Sequence, residues 1–366
     1  QNCFNQIKGF GSYGFPESHA ASFALLVYVS AWIKKYHPAA FACALLNSQP
    51  MGFYAPAELV RDAREHGVEV RHPDVNFSAW DNTLEFALDG TPMLRLGFRQ
   101  IEGFKEDWWT EKIAKCRGNG FATFDAFARR TKLPKRALII LAEADCFQSL
   151  DLDRRESLWQ VRRLPDDAPL PLFAAQFAED LPAETIAPLP AMPQSEHTLA
   201  DYQMMRFSLR AHLMHFLRDM FRAEGVMSCA DVLHARDGSA ARCAGIVITR
   251  QMPGDAGVVF VTLSDEAGVC NAVVWPSVFE RWRKEVMGSR LMLIEGKIQR
   301  SEEGVVHLIA ERFVDRTADL DRLSEDHVRL PPGKLEDIAF PRTDSRAPRH
   351  GHPRNVRVLA KSRDFH

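Results

Sequence analysis

Ser18 and His19 are the first side chains whose position could serve chemistry. They follow Pro16 and Glu17 at the start of a long apolar run that Pro38 closes. Proline has no N–H to lose in a first helical turn, and glutamate suits the positive end of a helix. The pattern therefore predicts a helix whose first turn carries Ser18 and His19, where free backbone N–H groups can meet a phosphate. The alternative is structural, with Ser18 capping the helix and His19 as an ordinary half-buried ring.

Gly97 and Gly103 mark a second candidate site. Gly97 lies between Leu96 and Phe98, and residues 101–104 read Ile-Glu-Gly-Phe, an apolar-X-Gly-apolar pattern. An amphipathic helix follows from near Lys105, which is itself a candidate for DNA binding. Such a glycine permits a tight turn, and the N–H groups at the next helix start can hold a DNA phosphate without reading bases. The segment therefore resembles the hairpin of a helix-hairpin-helix motif. A plain packing corner between two helices would show the same pattern.

A second copy of this turn follows the helix that begins at Lys135. Asp145 stands where the hairpin glycine would be, so this copy is predicted to be structural. Acidic residues are nearly as numerous as basic ones here, which leaves a local basic stripe at best. The stripe consists of Lys112, Lys115, Arg117, Arg129, Arg130, Lys132, Lys135 and Arg136.

The third candidate site lies in residues 241–315, where five β-rich runs carry one helix between the third and the fourth. This order is typical of the OB-fold, a small Greek-key barrel. OB barrels bind single strands by stacking bases on exposed aromatic rings beside a basic groove, although they also serve as protein adaptors. Phe260 and Trp275 are the stacking candidates, with a place in the core as the alternative, and Arg250, Lys297 and Arg300 are the groove candidates.

Two further segments carry candidate binding residues. Residues 165–200 are rich in proline and contain no Lys or Arg, which predicts an extended linker. Within it, Leu170, Leu172 and Phe173 form either an apolar anchor or a peptide for a sliding clamp, although Pro169 replaces the glutamine of such peptides. The tail from 316 to 366 is basic, and it is either an arm for nucleic acid or acidic partners, or solvated chain. Its candidate residues are Arg354, Arg357, Lys361 and Arg363.

Composition narrows the protein class. The chain has 366 residues and a formal net charge of −2, so only local patches could attract nucleic acid. Seven cysteines without a CxxC pair predict free thiols in a reducing cytoplasm and argue against structural zinc. We expect no signal peptide, membrane span or membrane partner.

Long segments resemble one protein family. The run YGFPESHAASFALLVYVSAWIKKYHPAAFACALLNSQPMGFY is similar to the end of the fingers domain in bacterial C-family DNA polymerases, the group of the polymerase III alpha subunit. The forms PESHA and NSQPMGFY are more similar to the error-prone branch, as is the ending RNVRVLAKSRDFH. The segment SLRAHLMHFLR resembles the family as well, but Leu213 stands where proline is usual. This favours an unbroken helix over residues 197–224.

The resemblance implies what the chain does. Tyr13, Ser18 and His19 would lie near the incoming nucleotide, because the fingers of this family close over it. The full-length parent would transfer nucleotides with Mg²⁺ held by palm carboxylates. No Asp-X-Asp stands on an apolar strand here, since Asp151 and Asp153 fall in a loop of a helical region. We therefore expect neither catalytic residues nor metal ligands in this chain, which alone should bind DNA and not polymerise.

The sequence thus predicts a multidomain α+β protein that forms the C-terminal portion of an error-prone DNA polymerase. Its expected partners are primer-template DNA, single-stranded DNA, deoxynucleoside triphosphates, a sliding clamp and mutasome accessory proteins. The alternative is a non-enzymatic nucleic-acid-binding adaptor that reuses the hairpin and OB modules. The expected division is fingers end 1–92, helix-hairpin-helix region 93–164, linker 165–200, helical connector 201–240, OB domain 241–315 and tail 316–366.

Overall fold

The computed structural model describes residues 17–51, 54–164, 190–253 and 257–325, and the backbone of 363–364. The chain divides into two compact units, Gln1–Leu133 and Pro134–His366. Each unit is described by itself below. None of the helices in the described residues has the length and apolar character needed to cross a bilayer.

The first unit opens with three helices, α1 (Glu17–Tyr36), α2 (Pro38–Asn47) and α3 (Pro56–Glu65). Prolines begin α2 and α3, as their missing N–H and fixed φ favour at a first helical position. In α3, the Glu58 carboxylate accepts a hydrogen bond from the Ala55 N–H at 3.0 Å. Gly67, with φ +79°, stands just beyond the end of this helix. The predicted helix with Ser18 and His19 on its first turn, ending before Pro38, is confirmed.

A three-stranded sheet and short helices complete the first unit. Strand β3 (Pro92–Arg95) is central, parallel to β1 (Val70–Arg71) and antiparallel to β2 (Thr83–Phe86). After a 3₁₀ turn (Phe98–Gln100) come α4 (Glu106–Trp108), a π-helical turn (Trp109–Ile113), α5 (Ala114–Arg117) and α6 (Phe124–Thr131).

A pair of asparagines joins the end of α2 to the residue just before β2. The Asn82 backbone N–H and side-chain amide both donate to Asn47 Oδ1, at 2.9 and 2.7 Å. Asn82 Oδ1 accepts from the Gly97 N–H at 3.0 Å, just before the first hairpin. Because these amides satisfy one another, they fix the start of the hairpin relative to α2.

The second unit begins with helices on either side of the second turn. They are α7 (Lys135–Glu143), a 3₁₀ turn (Gln148–Leu150) and α8 (Arg154–Arg163). Asp153 caps α8 by accepting from the Glu156 N–H at 2.7 Å, and the Glu156 carboxylate accepts from the Asp153 N–H at 3.0 Å.

The connector is not one helix, so the expectation of an unbroken helix over 197–224 is wrong. The structure has α9 (Gln194–Met205) and α10 (Leu213–Ala223), followed by α11 (Cys229–His234). Arg206 ends α9 with φ +72°, and the Ser208 hydroxyl donates to Asp201 and accepts from the Arg210 N–H. These local hydrogen bonds compete with the helical ones. Leu213 takes the first position of α10, the position that a proline would also suit.

The five strands of residues 240–315 close into a barrel, as predicted. They are β4 (Ala240–Gln251), β5 (Val259–Asp265), β6 (Gly268–Val274), β7 (Leu291–Arg300) and β8 (Val306–Asp315). Their order is β5-β6-β8-β7-β4 with β4 returning to β5, and only the β6–β8 pairing within this barrel is parallel. The predicted helix between β6 and β7 is divided at Trp282 into α12 (Pro276–Arg281) and α13 (Arg283–Gly288). After β8 follow a 3₁₀ turn (Thr317–Asp321) and α14 (Arg322–Glu325), and β9 (Arg363–Asp364) pairs with the end of β4.

Two apolar layers stabilise this barrel. The interior packs the inward residues of all five strands with Phe279 and Val286 from α12 and α13. On the outside, Leu217 and Phe221 of α10 pack with Leu291 and Leu293 of β7. The connector helix is therefore part of the barrel's own fold.

The barrel interior holds three of the cysteines. Cys229, Cys243 and Cys270 are buried, and the sulfurs of Cys229 and Cys243 are 3.8 Å apart. Hydrogen bonding to the two neighbouring thiols, together with burial, raises the pKa of Cys243. The six cysteines in the described part of the chain are free.

Candidate nucleic-acid interface

The first hairpin exposes a short stretch of backbone. Gly103 has φ +77°, a conformation that side chains rarely adopt, and the Phe104 N–H closes the turn on the Ile101 carbonyl at 3.2 Å. Ile101 and Phe104 are buried and anchor the two sides, whereas Glu102 and Gly103 are exposed. This geometry can present N–H groups to a phosphate without a side chain in between.

Gly97 has a packing role in this hairpin. A Cβ at this position would lie 2.3 Å from the Trp80 carbonyl oxygen, far inside contact distance. Its N–H already donates to Asn82. A close approach of two backbone segments therefore accounts for Gly97, and its N–H is not available to a phosphate.

Lys105 is exposed beside the hairpin. Its ammonium nitrogen lies 5.5 Å from the centre of the Trp108 ring, within range of a cation–π contact. Glu106 and Asp107 occupy the first turn of the following helix. Their negative charge favours the helix end but opposes a phosphate there, so Lys105 supplies the local attraction.

Two members of the basic stripe have structural roles. The Arg117 guanidinium donates to the Ser78 carbonyl and lies 4.3 Å from the centre of the Trp109 ring. Burial lowers the pKa of Arg117 to about 10, and the charge of Asp74 opposes this shift. Arg130 donates to the carbonyls of Gly120, Cys116 and Arg117. Both side chains hold loops together.

Three other members of the stripe remain available. Lys112, Arg129 and Lys132 are exposed, and they pair with no carboxylate among the residues that the structure describes. Lys115 instead forms an ion pair with Glu111. The cations that could meet DNA in the first unit are therefore fewer than the sequence suggested.

At the second turn, Asp145 takes the glycine conformation with φ +59°. The Cys146 N–H donates to the Leu141 carbonyl at 3.0 Å and the Asp145 N–H to the Ala142 carbonyl at 3.0 Å, which forms a Schellman helix end. The carboxylate is buried and accepts hydrogen bonds from Arg210 and Gln148. The side chain of this turn points inward and holds the connector.

A buried ion pair lies next to the second turn. The Arg154 guanidinium, 1% exposed, donates to Asp201 at 2.5 Å and to the carbonyls of Glu143 and His197. It also lies 3.1 Å from His197 Nδ1, so the ring accepts at Nδ1 and carries its proton at Nε2. Burial lowers the pKa of His197, as do the charges of Arg154 and Arg210, against the opposing charges of Asp145 and Asp153.

In the barrel, the assignment of Arg250 to a surface groove is wrong. Its side chain is 2% exposed, and the guanidinium donates to the carbonyls of Val286 and Ser289. The reason is a β-bulge between Val247 and Thr249. Beyond the extra residue, side chains that would point outward point into the barrel. Arg250 therefore points inward, and its hydrogen bonds connect β4 to α13.

Lys297 and Arg300 lie on the surface but already have partners. The Lys297 ammonium is 3.5 Å from the Glu311 carboxylate on the neighbouring strand. Glu295 pairs in the same way with Arg242 and Arg312. Arg300 donates to the carbonyls of Leu233 and Ala235 at the end of α11. Alternating charges therefore neutralise the outer face of β4, β7 and β8.

Phe260 and Trp275 lie at one end of the outer face of β5 and β6. Phe260 is half-buried and pairs across the strands with Val273, and Trp275, two residues beyond Val273, is 50% exposed. Thr262 and Asn271 continue this face and hydrogen-bond to each other at 2.9 Å. Among the described residues of β5 and β6, this face offers aromatic rings and neutral polar groups without a charged side chain, which suits stacking more than phosphate binding.

Several candidate residues lie outside the described residues. They are Tyr13, Leu170, Leu172, Phe173, Arg354, Arg357 and Lys361. Ser18, His19 and Arg363 are placed by backbone alone, the first two on the first turn of α1. Within the described residues, no group of three or more His, Cys, Asp or Glu side chains is arranged to hold a metal ion.

Sequence reasoning missed the residues that fix the candidate surfaces. Asn47 and Asn82 are far apart in sequence, and their pairing has no local pattern. The Asp145–Arg210 and Arg154–Asp201 pairs each join residues across the linker. The sequence around them gave no signal, because Arg154 stands among other charged residues of α8 and Asp201 among polar residues of α9.

Family models match two parts of the chain. Residues 67–157 match a helix-hairpin-helix motif, and residues 241–315 match an OB-fold nucleic acid binding domain. Among solved structures, an asparaginyl-tRNA synthetase from Pyrococcus horikoshii is 26% identical with a TM-score of 0.22, covering 24% of this chain and 22% of that chain.

Curated relatives match the chain from end to end. An error-prone DNA polymerase of Rhodopseudomonas palustris (strain BisA53) is 56% identical over 393 aligned residues, covering 100% of this chain and 34% of that polymerase. One of Brucella abortus biovar 1 (strain 9-941) is 54% identical over 370 residues, covering 100% of this chain and 33% of that polymerase. The chain spans about a third of the length of these relatives. Over its whole length the chain is thus similar to part of these error-prone DNA polymerases.

Proposed function

We propose that this chain is the C-terminal portion of an error-prone DNA polymerase and holds DNA for the parent enzyme. The observation that carries the proposal is identity above 50% to such polymerases over the whole chain. The parent would catalyse template-directed nucleotide transfer in damage-tolerant synthesis and repair. Its substrates would be primer-template DNA and deoxynucleoside triphosphates.

In this proposal the first hairpin grips a phosphate of the duplex. Gly103 has no side chain and a positive φ, so the exposed backbone of the turn can approach the strand closely. Lys105, Lys112, Arg129 and Lys132 would add charge without reading sequence. Binding of this kind is independent of base sequence.

The barrel would hold a single strand by stacking. Phe260 and Trp275 share a face that has no charged side chain among the described residues. Residues 241–315 as a whole contain nine Lys and Arg and ten Asp and Glu. Because such a face would release few counterions, its binding to a single strand should depend only weakly on salt.

The parent would need Mg²⁺ for nucleotide transfer. Three or more metal-ligating side chains do not converge anywhere in the described residues, so they do not fit such a site. We assign the catalytic carboxylates to the part of the parent outside this chain. Tyr13, Ser18 and His19 would approach the incoming nucleotide at the start of α1.

Three finer assignments belong to the same proposal. Leu170, Leu172 and Phe173 would bind a sliding clamp, and Arg354, Arg357, Lys361 and Arg363 would contact DNA or mutasome accessory proteins. The free thiols suit a reducing cytoplasm.

The first experiment compares two glycines of the first unit by fluorescence anisotropy with a labelled duplex. Gly103→Val should weaken binding about tenfold, evenly across sequences, because it blocks the backbone of the turn. Gly90→Val is the matched control, since Gly90 has φ +83° and open space around its Cβ position on the β2–β3 hairpin. Equal affinity of the two folded variants would reduce the hairpin to a packing corner.

The chain alone should show no primer extension with Mg²⁺ and all four nucleotides, and robust extension would overturn the proposal.

The second candidate function is a protein adaptor. The neutralised cations on the outer face of β4, β7 and β8 favour it for the barrel. Anisotropy of labelled single-stranded DNA with the whole chain separates the two. The double substitution of Phe260 and Trp275 by Ala should weaken binding about tenfold or more, since each stacked base contributes about 1–3 kcal/mol. Lys297→Ala should leave binding unchanged. Wild-type protein that binds no single strand would support the adaptor.

A further inference from the structure

Helix α1 exposes large apolar side chains to solvent. In seven consecutive residues, the six large ones, Phe23 and residues 25–29, are between 45% and 72% exposed. Trp32 and Tyr36 extend this surface at 47% and 56%. Soluble proteins rarely expose apolar side chains in such a contiguous patch, and such patches mark interaction sites.

These side chains surround the helix. Consecutive residues are about 100° apart around an α-helix, so seven of them make almost two full turns. Apolar residues on every side are typical of a helix enclosed by a larger protein. A helix that lies on a membrane surface instead has one apolar and one charged face, which α1 lacks.

The C-terminal end of α1 is anchored within the first unit. Ile33 and Lys34 are half-buried, and the Lys34 ammonium is 2.8 Å from the Asp62 carboxylate of α3. Residues 20–32 are exposed throughout. The apolar side chains of residues 20–32 are therefore accessible to a partner.

We infer that α1 is enclosed by the part of the longer polymerase that lies outside this chain. The inference rests on the proposed function, in which the relatives are about three times as long as this chain. A second copy fits less well, because a twofold contact covers one face of a helix. A surface that is apolar on all sides needs a partner with a groove or several elements.

The test mixes the full chain with the separately purified remaining two thirds of the Rhodopseudomonas palustris polymerase. Sedimentation velocity should show a 1:1 complex. Hydrogen exchange of residues 20–32 should slow at least tenfold in that complex. Circular dichroism and a cooperative melting transition first establish that the added polypeptide is folded.

Matched variants locate the contact. Leu25→Gln with Tyr28→Gln should weaken the complex about 100-fold, because two large apolar side chains would no longer be buried. The control is Phe86→Gln with Leu88→Gln on the β2–β3 hairpin, where the two residues are 67% and 111% exposed, against 66% and 72% for Leu25 and Tyr28. It should change the affinity less than twofold.

The outcomes separate this inference from the proposed function. Protection of α1 that rises with the concentration of this chain alone would assign the surface to a second copy and overturn the inference. Rapid exchange of α1 beside the folded polypeptide would overturn it too. A complex with α1 protected but no primer extension would reject the polymerase function and leave the surface established.

Discussion

The turn at Gly103 and the turn at Asp145 use the same left-handed backbone for different purposes. At Gly103, φ is +77° and the exposed turn has no side chain. At Asp145, φ is +59° and the buried carboxylate accepts from Arg210 and Gln148. Glycine reaches this conformation at little cost, whereas another residue costs about 1–2 kcal/mol.

The difference indicates what each turn can do. A glycine turn can offer its backbone to a ligand, because nothing stands between the N–H groups and solvent. An aspartate turn must recover the conformational cost through its side chain, and here the side chain recovers it by holding Arg210. We therefore expect substitutions at the second turn to affect stability and those at the first turn to affect DNA binding.

The largest expected effect is at the ion pair beside the second turn. Asp201→Ala should lower the free energy of unfolding by about 3–5 kcal/mol, because it leaves the buried Arg154 guanidinium without its carboxylate. Urea unfolding followed by tryptophan fluorescence measures this loss. Asp219→Ala is the control, since its ion pair with Arg222 is exposed and should contribute less than about 0.5 kcal/mol. Equal losses in the two variants would contradict the structural role of this region.

Exchanging the two turn residues gives the next effect. Asp145→Gly removes the backbone strain of the left-handed conformation but leaves Arg210 and Gln148 without their shared acceptor. The free energy of unfolding should therefore fall by about 1–2 kcal/mol. Duplex affinity should stay within twofold of wild type. A large loss of DNA binding in a folded Asp145→Gly protein would show that the second turn also contacts DNA.

The reverse exchange tests the first turn. Gly103→Asp puts a carboxylate where a phosphate is proposed to bind, so duplex affinity should fall at least tenfold at low salt. Stability should fall by only about 1 kcal/mol, as expected for a side chain at positive φ. Gly90→Asp carries the same charge and strain on another turn, and it should bind DNA like wild type. Similar weakening in both variants would indicate a general charge effect.

The fold was largely predictable because its signals are local. The five β-rich runs of residues 241–315 predicted the barrel strands, and Pro38 predicted the end of the first helix. The prediction of one helix over 197–224 was wrong, because the break depends on a hydrogen bond from the Ser208 side chain to Asp201, seven residues earlier. The apolar pattern continues on both sides of that break and does not reveal it.

The candidate site was less predictable, since it depends on the side of a strand on which each side chain lies and on the residues with which it pairs. Arg250 was misplaced because one bulge reverses the alternation of β4. Lys297 is exposed, as its position suggests, but the strand register places it across from Ile309 and near Glu311, which neutralises it. Gly97 and Gly103 each precede a phenylalanine, and only the close approach of the Trp80 backbone in the structure identifies Gly97 as a packing residue.

The smallest expected effect is a pH dependence of stability that arises at His197, beside the second turn. Burial and two arginines lower the pKa of His197, so the unfolded chain binds a proton there at a higher pH than the folded one. Stability should therefore be complete above pH 6.5 and decline as the pH falls through the folded-state pKa, since proton uptake favours the unfolded state. His197→Asn keeps an acceptor for Arg154 without titrating, so it should flatten the decline in melting temperature between pH 7 and pH 5.5. His234→Asn, at an exposed histidine of α11, should leave the decline unchanged. A decline that persists in His197→Asn would place the titrating group elsewhere and remove this pH dependence from the second turn.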